Sequence, residues 1–199
     1  WSVPVRDGTF CNVTSDARRS LSAHEIAEVT DQWVGVTGND ELPLHRRIVS
    51  DLDIVRACVQ HARRWPEEGG IEALRHALAY VRGVPFAGSG YVWPDSASLA
   101  GEAVTLLTRA AQICADLCAD AGDDDGVMWA TSRGLEVMPG HEGLTETRLR
   151  HLAGRGRAAE LRAEWESYCR VFADDTWGDG APPRRMSELY VSLQRDMTD

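Results

Sequence analysis

The chain has 199 residues, of which 43% are hydrophobic and 26% are charged. These fractions are those of an ordinary globular protein and exclude disordered and collagen-like chains. The formal net charge of −10 argues against a broad nucleic-acid-binding surface, because neutralising phosphates needs clustered cations. No stretch approaches the roughly 18 to 20 apolar residues of a membrane-spanning helix, so we expect this part of the chain to lie outside a membrane.

The cysteine content points to a reducing compartment. The chain has five Cys, an odd number, and no secretory leader, which predicts a cytoplasmic protein without a disulfide framework. Cys114 and Cys118 lie four residues apart in an apolar helical stripe. A metal site would need two further ligands at suitable spacing, and no Cys or His pair supplies them. We therefore predict buried cysteines, no metal and no cofactor.

From Asp51 to the end, the chain has the pattern of amphipathic helices. Apolar residues recur at three- and four-residue steps, beginning with Leu52, Val55 and Val59. Helices are predicted to end where Gly or Pro interrupts this pattern. The predicted breaks are Trp65-Pro66, Gly83, Gly122, Pro139-Gly140, Gly154-Arg155-Gly156 and Pro182-Pro183. After Pro94, Asp95 or Ser96 is expected to cap a long helix.

An aromatic loop is predicted between Val84 and Pro94. Its Phe86, Tyr91 and Trp93 are expected to pack onto the helices as part of the core, with an exposed anchor for a partner as the alternative.

Two helical segments resemble each other. Leu117–Gly122 and Leu149–Gly154 are each followed by a turn and another helix, at an offset close to the roughly 34-residue period of tetratricopeptide helix pairs. Such a pair has an apolar face that it cannot bury alone, so pairs stack. The predicted fold class is mainly α, a tetratricopeptide-like α-solenoid.

The first fifty residues have a different pattern. A helix is expected from about Phe10 to Val29. Residues 32–37 are rich in β-branched and aromatic side chains, Gly38-Asn39-Asp40 supplies a turn, and Leu42 to Val49 can form a return strand. A helix followed by a β-hairpin is the second half of a winged helix, so we predict a small partial winged helix here.

The segment from Thr9 to Leu21 contains Asn12, Ser15 and Arg18-Arg19-Ser20-Leu21. It resembles the recognition helix of the actinobacterial antibiotic regulatory proteins, which ends in Arg-Arg-x-Leu. The remainder resembles their companion, the tetratricopeptide-like bacterial transcriptional activator domain. The landmarks are Ser50-Asp51-Leu52, Ala73 to Leu78, Val81 to Phe86, Trp93, Ala121-Gly122-Asp123 and Arg133-Gly134-Leu135. The Val81–Phe86 phrase is closest to the version at the cytoplasmic end of actinobacterial membrane proteins that contain a LysM segment.

The resemblance implies two domains, a partial winged helix at 1–49 and the activator domain at 50–199. Trp1 is similar to the Trp that ends the family's second winged-helix helix, so we expect this chain to be a piece of a longer protein. The resemblance places Asn12, Ser15, Arg18 and Arg19 in the major groove of DNA, and Arg46 or Arg47 near the wing on phosphate. Alternatively, Arg18 and Arg19 pair with Asp16 or remain solvated.

A second basic cluster lies in an otherwise acidic chain. Its residues are Arg148, Arg150, His151, Arg155 and Arg157. We predict that the four arginines bind an acidic partner or nucleic acid, the alternative being a solvated face with local acidic pairing.

No catalytic motif is complete. His141-Glu142 lacks the second His of a zinc-protease helix, and Gly154-Arg155-Gly156 follows a helix, not the strand that a dinucleotide loop needs. We predict a non-enzymatic module of a bacterial transcription regulator. It would bind a protein partner or a second copy and position a DNA-binding element, with DNA bound through the complete parent protein. The alternatives are a pure scaffold in a membrane-anchored LysM protein, and an enzyme with an all-helical site.

Overall fold

The described residues are mainly α-helical. A computed structural model describes residues 12, 15, 16, 18–20, 33–35, 43–88, 98–173 and 180–198. The chain divides into two compact units, Trp1–Ser50 and Asp51–Asp199. The helices of the second unit are α1 (Asp51–Arg64), α2 (Gly70–Leu78), α3 (Leu99–Asp120), α4 (Asp124–Val137), α5 (Glu142–Gly154), α6 (Ala158–Ala173) and α7 (Arg184–Asp196). None of these described helices is long and apolar enough to span a membrane.

The ends of several helices confirm the predicted breaks. Gly122 follows α3 with φ of 71°, a left-handed conformation that glycine adopts without strain. The Asp123 side chain accepts a hydrogen bond from the Gly126 N–H and so caps α4. His141 caps α5, because its Nδ1 atom accepts a hydrogen bond from the Leu144 N–H at 3.2 Å. Pro183 stands at the N-cap of α7.

The end of α2 differs from the prediction. The helix ends at Leu78, five residues before Gly83. Arg133 on α4 donates from Nε to the Leu78 carbonyl at 3.4 Å and from Nη2 to the Val81 carbonyl at 2.5 Å. These carbonyls therefore have a partner from another helix, which the local sequence pattern does not reveal.

The helices of the second unit pack in a regular order. Each helix from α1 to α5 packs against the next, and α1 with α3, α2 with α4, α3 with α5 and α5 with α7 also pack together. One core cluster is formed by apolar residues of α1 to α4 and the start of α5, and another by residues of α5, α6 and α7. Of the predicted stripe residues, Val55 and Val59 are buried and Leu52 is partly buried. Cys114 and Cys118 are buried as predicted.

The aromatic loop is only partly as predicted. Phe86 remains 40% exposed, with φ of 61°, so the expectation that it packs into the core is wrong. Phe86 lies on the rim of a groove. Tyr91 and Trp93 lie outside the described residues.

The first unit contains helical residues at 12, 15, 16 and 18–20 and an antiparallel bridge between Val34 and Leu44. The Gly35 N–H donates to the Pro43 carbonyl at 2.8 Å, and the His45 N–H donates to the Trp33 carbonyl at 2.9 Å. In the ranges described for this unit the bridge does not extend into strands. The predicted hairpin is therefore not confirmed, and its turn at 38–40 lies outside the described residues.

Candidate interaction surfaces

One face of the helix in the first unit carries exposed polar side chains. Asn12, Ser15, Asp16 and Arg19 are exposed and spaced as i, i+3, i+4 and i+7, which places them on one stripe. Arg19 lies 3.3 Å from Asp16, and both side chains are largely in solvent. We call these four residues the N-terminal stripe. The N-terminal stripe thus contains three of the predicted DNA-binding residues, Asn12, Ser15 and Arg19.

Arg18 is placed differently from the stripe. It is half-buried, and its Nε and Nη2 atoms donate to the Gly35 carbonyl at 3.0 and 2.7 Å. Arg46 and Arg47 are exposed in a turn that follows the bridge. The Arg47 N–H donates to His45 Nδ1 at 3.2 Å, which holds this turn.

The second unit has a polar face shared by its odd-numbered helices. Side-chain hydrogen bonds join neighbouring odd helices: Arg56 to Glu102, Gln112 to Thr147, and Arg185 to Glu146. The first two are 2.6 and 2.9 Å long. We call the side chains around these bonds the odd-helix face, defined by Arg56, Glu102, Thr105, Arg109, Gln112, Glu146, Thr147 and Arg185.

Helix α3 supplies the middle of the odd-helix face. Glu102, Thr105, Arg109, Gln112 and Asp116 follow one another at steps of three and four residues, so they lie on one side of the helix. An open concavity of about 540 Å³ lies along this side and includes Glu102, Thr105 and Arg109 in its lining. This polar stripe is not among the sites predicted from the sequence, although its residues have the same helical spacing as the apolar ones.

Glu146 on α5 is the most connected acid of this face. Arg150 donates to its Oε1 atom at 2.9 Å, and Arg185 binds its other oxygen. Partial burial alone would raise the pKa of Glu146, but the hydrogen bonds from both arginines lower it. Glu146 therefore stays charged and ties α5 to α7.

The predicted basic cluster is divided among several ion pairs. Arg150 pairs with Glu146, Arg155 with Asp124 at 2.6 Å, and Arg157 with Glu160 at 2.5 Å. His151 Nε2 lies 3.5 Å from the same Asp124. The structure thus gives each of these three arginines an acidic partner, and it does not bring them together as one open cationic patch.

Arg148 of this cluster is mostly buried. Its Nη2 donates to Glu164 on α6 at 2.7 Å, and its Nη1 donates to Ser132 on α4 at 2.7 Å. The Arg148 and Glu164 side chains are only 13% and 17% exposed. Arg148 therefore joins three helices from within.

An apolar groove of about 300 Å³ lies between the start of α1, the loop after α2 and the first half of α3. Val55, Val81 and Leu107 line it, and Tyr80 and Phe86 stand exposed at its rim. The residues that follow, 89–97, lie outside the described part of the chain.

The buried thiols are poor nucleophiles and poor metal ligands. Burial raises the pKa of the Cys114 thiol to about 12 and also raises that of Cys118. Among the described residues no group of three His, Cys, Asp or Glu side chains is arranged to hold a metal ion.

A thiol reagent added at mildly alkaline pH should distinguish two classes of cysteine. We expect Cys58 and Cys169, which are partly exposed, to be modified in the native protein. Burial raises the pKa of all four described thiols, so access distinguishes them: Cys114 and Cys118 are fully buried and should react only after denaturation. Peptide mass spectrometry identifies the labelled cysteines. Rapid labelling of Cys114 in the native protein would contradict its position in the core.

Comparison of the chain with protein-family models, with curated proteins and with solved structures finds no match.

Proposed function

We propose that the chain is a non-enzymatic regulatory module of a bacterial transcription regulator, located in the cytoplasm. On this proposal the second unit is a tetratricopeptide-like α-solenoid, as in the bacterial transcriptional activator domain that it resembles. It binds a protein partner or a second copy on its odd-helix face. The first unit is a partial winged helix that contacts DNA within the complete parent protein.

The packing order supports the solenoid. Stacked helix pairs bring each helix against the next and against the next but one, and α1 to α5 follow this order. Small residues support close stacking: a Cβ on Gly134 of α4 would lie 2.6 Å from the Ala111 Cβ on α3.

The odd-helix face is the observation that carries the proposed protein interaction. Its bonds between α1 and α3, α3 and α5, and α5 and α7 hold the exposed sides of four helices in fixed register. A surface that is ordered before binding loses less side-chain entropy when a partner docks. Arg109 lies in the middle of this face, exposed and with no charged partner among the described residues.

Site-specific photo-crosslinking tests this interaction. A photoreactive amino acid replaces Arg109 on the odd-helix face or, as the matched control, Arg162, an exposed arginine on α6. Full-length protein in its native cells should give a discrete crosslinked product from position 109 and none from position 162. Mass spectrometry then tells whether the product contains a second copy or another protein. Equal products from both positions, or none from 109, would contradict the proposal.

Binding to a mixed-sequence DNA duplex tests the proposed DNA-binding role of the first unit. The full-length parent should bind at low salt and weaken as salt rises, because phosphate contacts release counterions. Asp16→Asn should bind more tightly and show a steeper salt dependence, since it removes a negative charge from the N-terminal stripe and frees Arg19. Absence of binding at low salt would favour the alternative, a scaffold at the cytoplasmic end of a membrane-anchored LysM protein.

A further inference from the structure

We propose that Arg18 is a positioning residue, which fixes the N-terminal helix against the Val34–Leu44 bridge and is not itself a contact to DNA. The contacts that the N-terminal helix makes to DNA then fall to Asn12, Ser15 and Arg19. This inference rests on the proposed DNA-binding function, and it divides residues that the sequence alone placed in one group.

Burial and contacts separate Arg18 from the other candidates. On the helix, residue 18 is rotated by about 100° from residue 19 and by about 60° from residue 15, so it lies at the edge of the N-terminal stripe. The stripe residues are exposed, and Arg18 is half-buried. The side of the helix that carries Arg18 is therefore the side that meets the bridge.

The contact made by Arg18 is specific. Two guanidinium nitrogens, Nε and Nη2, donate to the single carbonyl oxygen of Gly35. The same Gly35 donates its N–H to the Pro43 carbonyl, beside the buried Val34. A Cβ at residue 35 would lie 2.8 Å from the Pro43 Cγ, so the chain passes close to Pro43 here. Arg18 is thus bonded to Gly35, and Gly35 is bonded to Pro43, so this one glycine connects the helix with both segments of the bridge.

Arg19 remains available for phosphate. Both side chains of its ion pair with Asp16 are exposed, and exposed ion pairs contribute little to the stability of the protein. A phosphate can take the place of Asp16 without breaking a buried contact. Arg18 would have to give up two hydrogen bonds within the protein to do the same.

Lysine substitutions separate the two roles, because Lys keeps the charge but loses the planar fork of Arg. We expect Arg19→Lys in the full-length parent to bind a mixed-sequence duplex more tightly than Arg19→Gln, because its ammonium group still neutralises phosphate. Arg18→Lys should bind about tenfold more weakly than the wild type, and no better than Arg18→Gln, because a single ammonium cannot reproduce both bonds.

Hydrogen exchange of the DNA-free protein supplies a readout independent of binding. The Gly35 and His45 amides should lose protection in Arg18→Lys and Arg18→Gln but keep it in Arg19→Gln. If Arg18→Lys binds like the wild type, or if both amides stay protected in the Arg18 variants, the positioning role is overturned. If the wild type does not bind duplex DNA but exchange changes as expected, the DNA-binding function fails while the clamp on Gly35 stands.

Discussion

Arg148→Met should lower the free energy of unfolding of the chain by about 2–4 kcal/mol. The substitution keeps much of the side-chain volume but removes the donors to Glu164 and Ser132. Glu164 is then left mostly buried without its cationic partner. An unpaired buried carboxylate costs far more than the loss of an exposed ion pair. Urea denaturation followed by far-UV circular dichroism measures the change.

Two further variants control this prediction. Arg184→Met removes the ion pair between Arg184 and Glu188, whose side chains are 91% and 63% exposed, respectively. This variant should change the free energy of unfolding by less than about 1 kcal/mol. Adding Glu164→Gln to Arg148→Met should restore part of the lost stability, because it removes the uncompensated charge. If Arg148→Met and Arg184→Met have equal effects, Arg148 does not join α4, α5 and α6 as described.

Gly134→Ala should also destabilise the second unit, by about 1–3 kcal/mol, although alanine has a higher helix propensity than glycine. The added Cβ would lie 2.5 Å from the Leu144 Cδ1 and 2.6 Å from the Ala111 Cβ. Ala111 is buried and its Cβ is attached directly to the backbone of α3, so the helices themselves must move apart. Thermal unfolding of the purified chain reports the loss.

The matched control for this prediction is Gly101→Ala on α3. A Cβ at residue 101 would meet no atom within 4 Å, and the residue is helical. This variant should therefore gain about 0.5–1 kcal/mol from helix propensity alone. Opposite signs for the two variants are expected; stabilisation by Gly134→Ala would mean that α3, α4 and α5 do not approach closely at Gly134.

The helical pattern beyond Asp51 was predictable because each stripe is read within one segment. Val55 and Val59 are buried as their spacing indicates, and Gly122 follows the end of α3. The contact of Arg133 with the carbonyls of Leu78 and Val81 was not predictable, because Arg133 is distant from them in the sequence. Local spacing carries no information about such partners.

The candidate sites follow the same division. The exposed spacing of Asn12, Ser15 and Arg19 could be read from the sequence, whereas the contact of Arg18 with Gly35 spans 17 residues. Arg148 and Arg150 look alike in the sequence, yet one is buried between helices and the other is exposed. Arg148 is the internal one because helix packing brings Ser132 and Glu164 next to it.

Nuclear Overhauser measurements on the second unit, within the full chain, test the central claim that its helices stack in sequence. Contacts between methyl and aromatic side chains should link each helix with the next or the next but one, including α1 with α3 and α5 with α7. Contacts from α1 to α6 or α7 would show helices gathered around a common centre. That result would contradict the stacked arrangement and, with it, the odd-helix face as a binding surface.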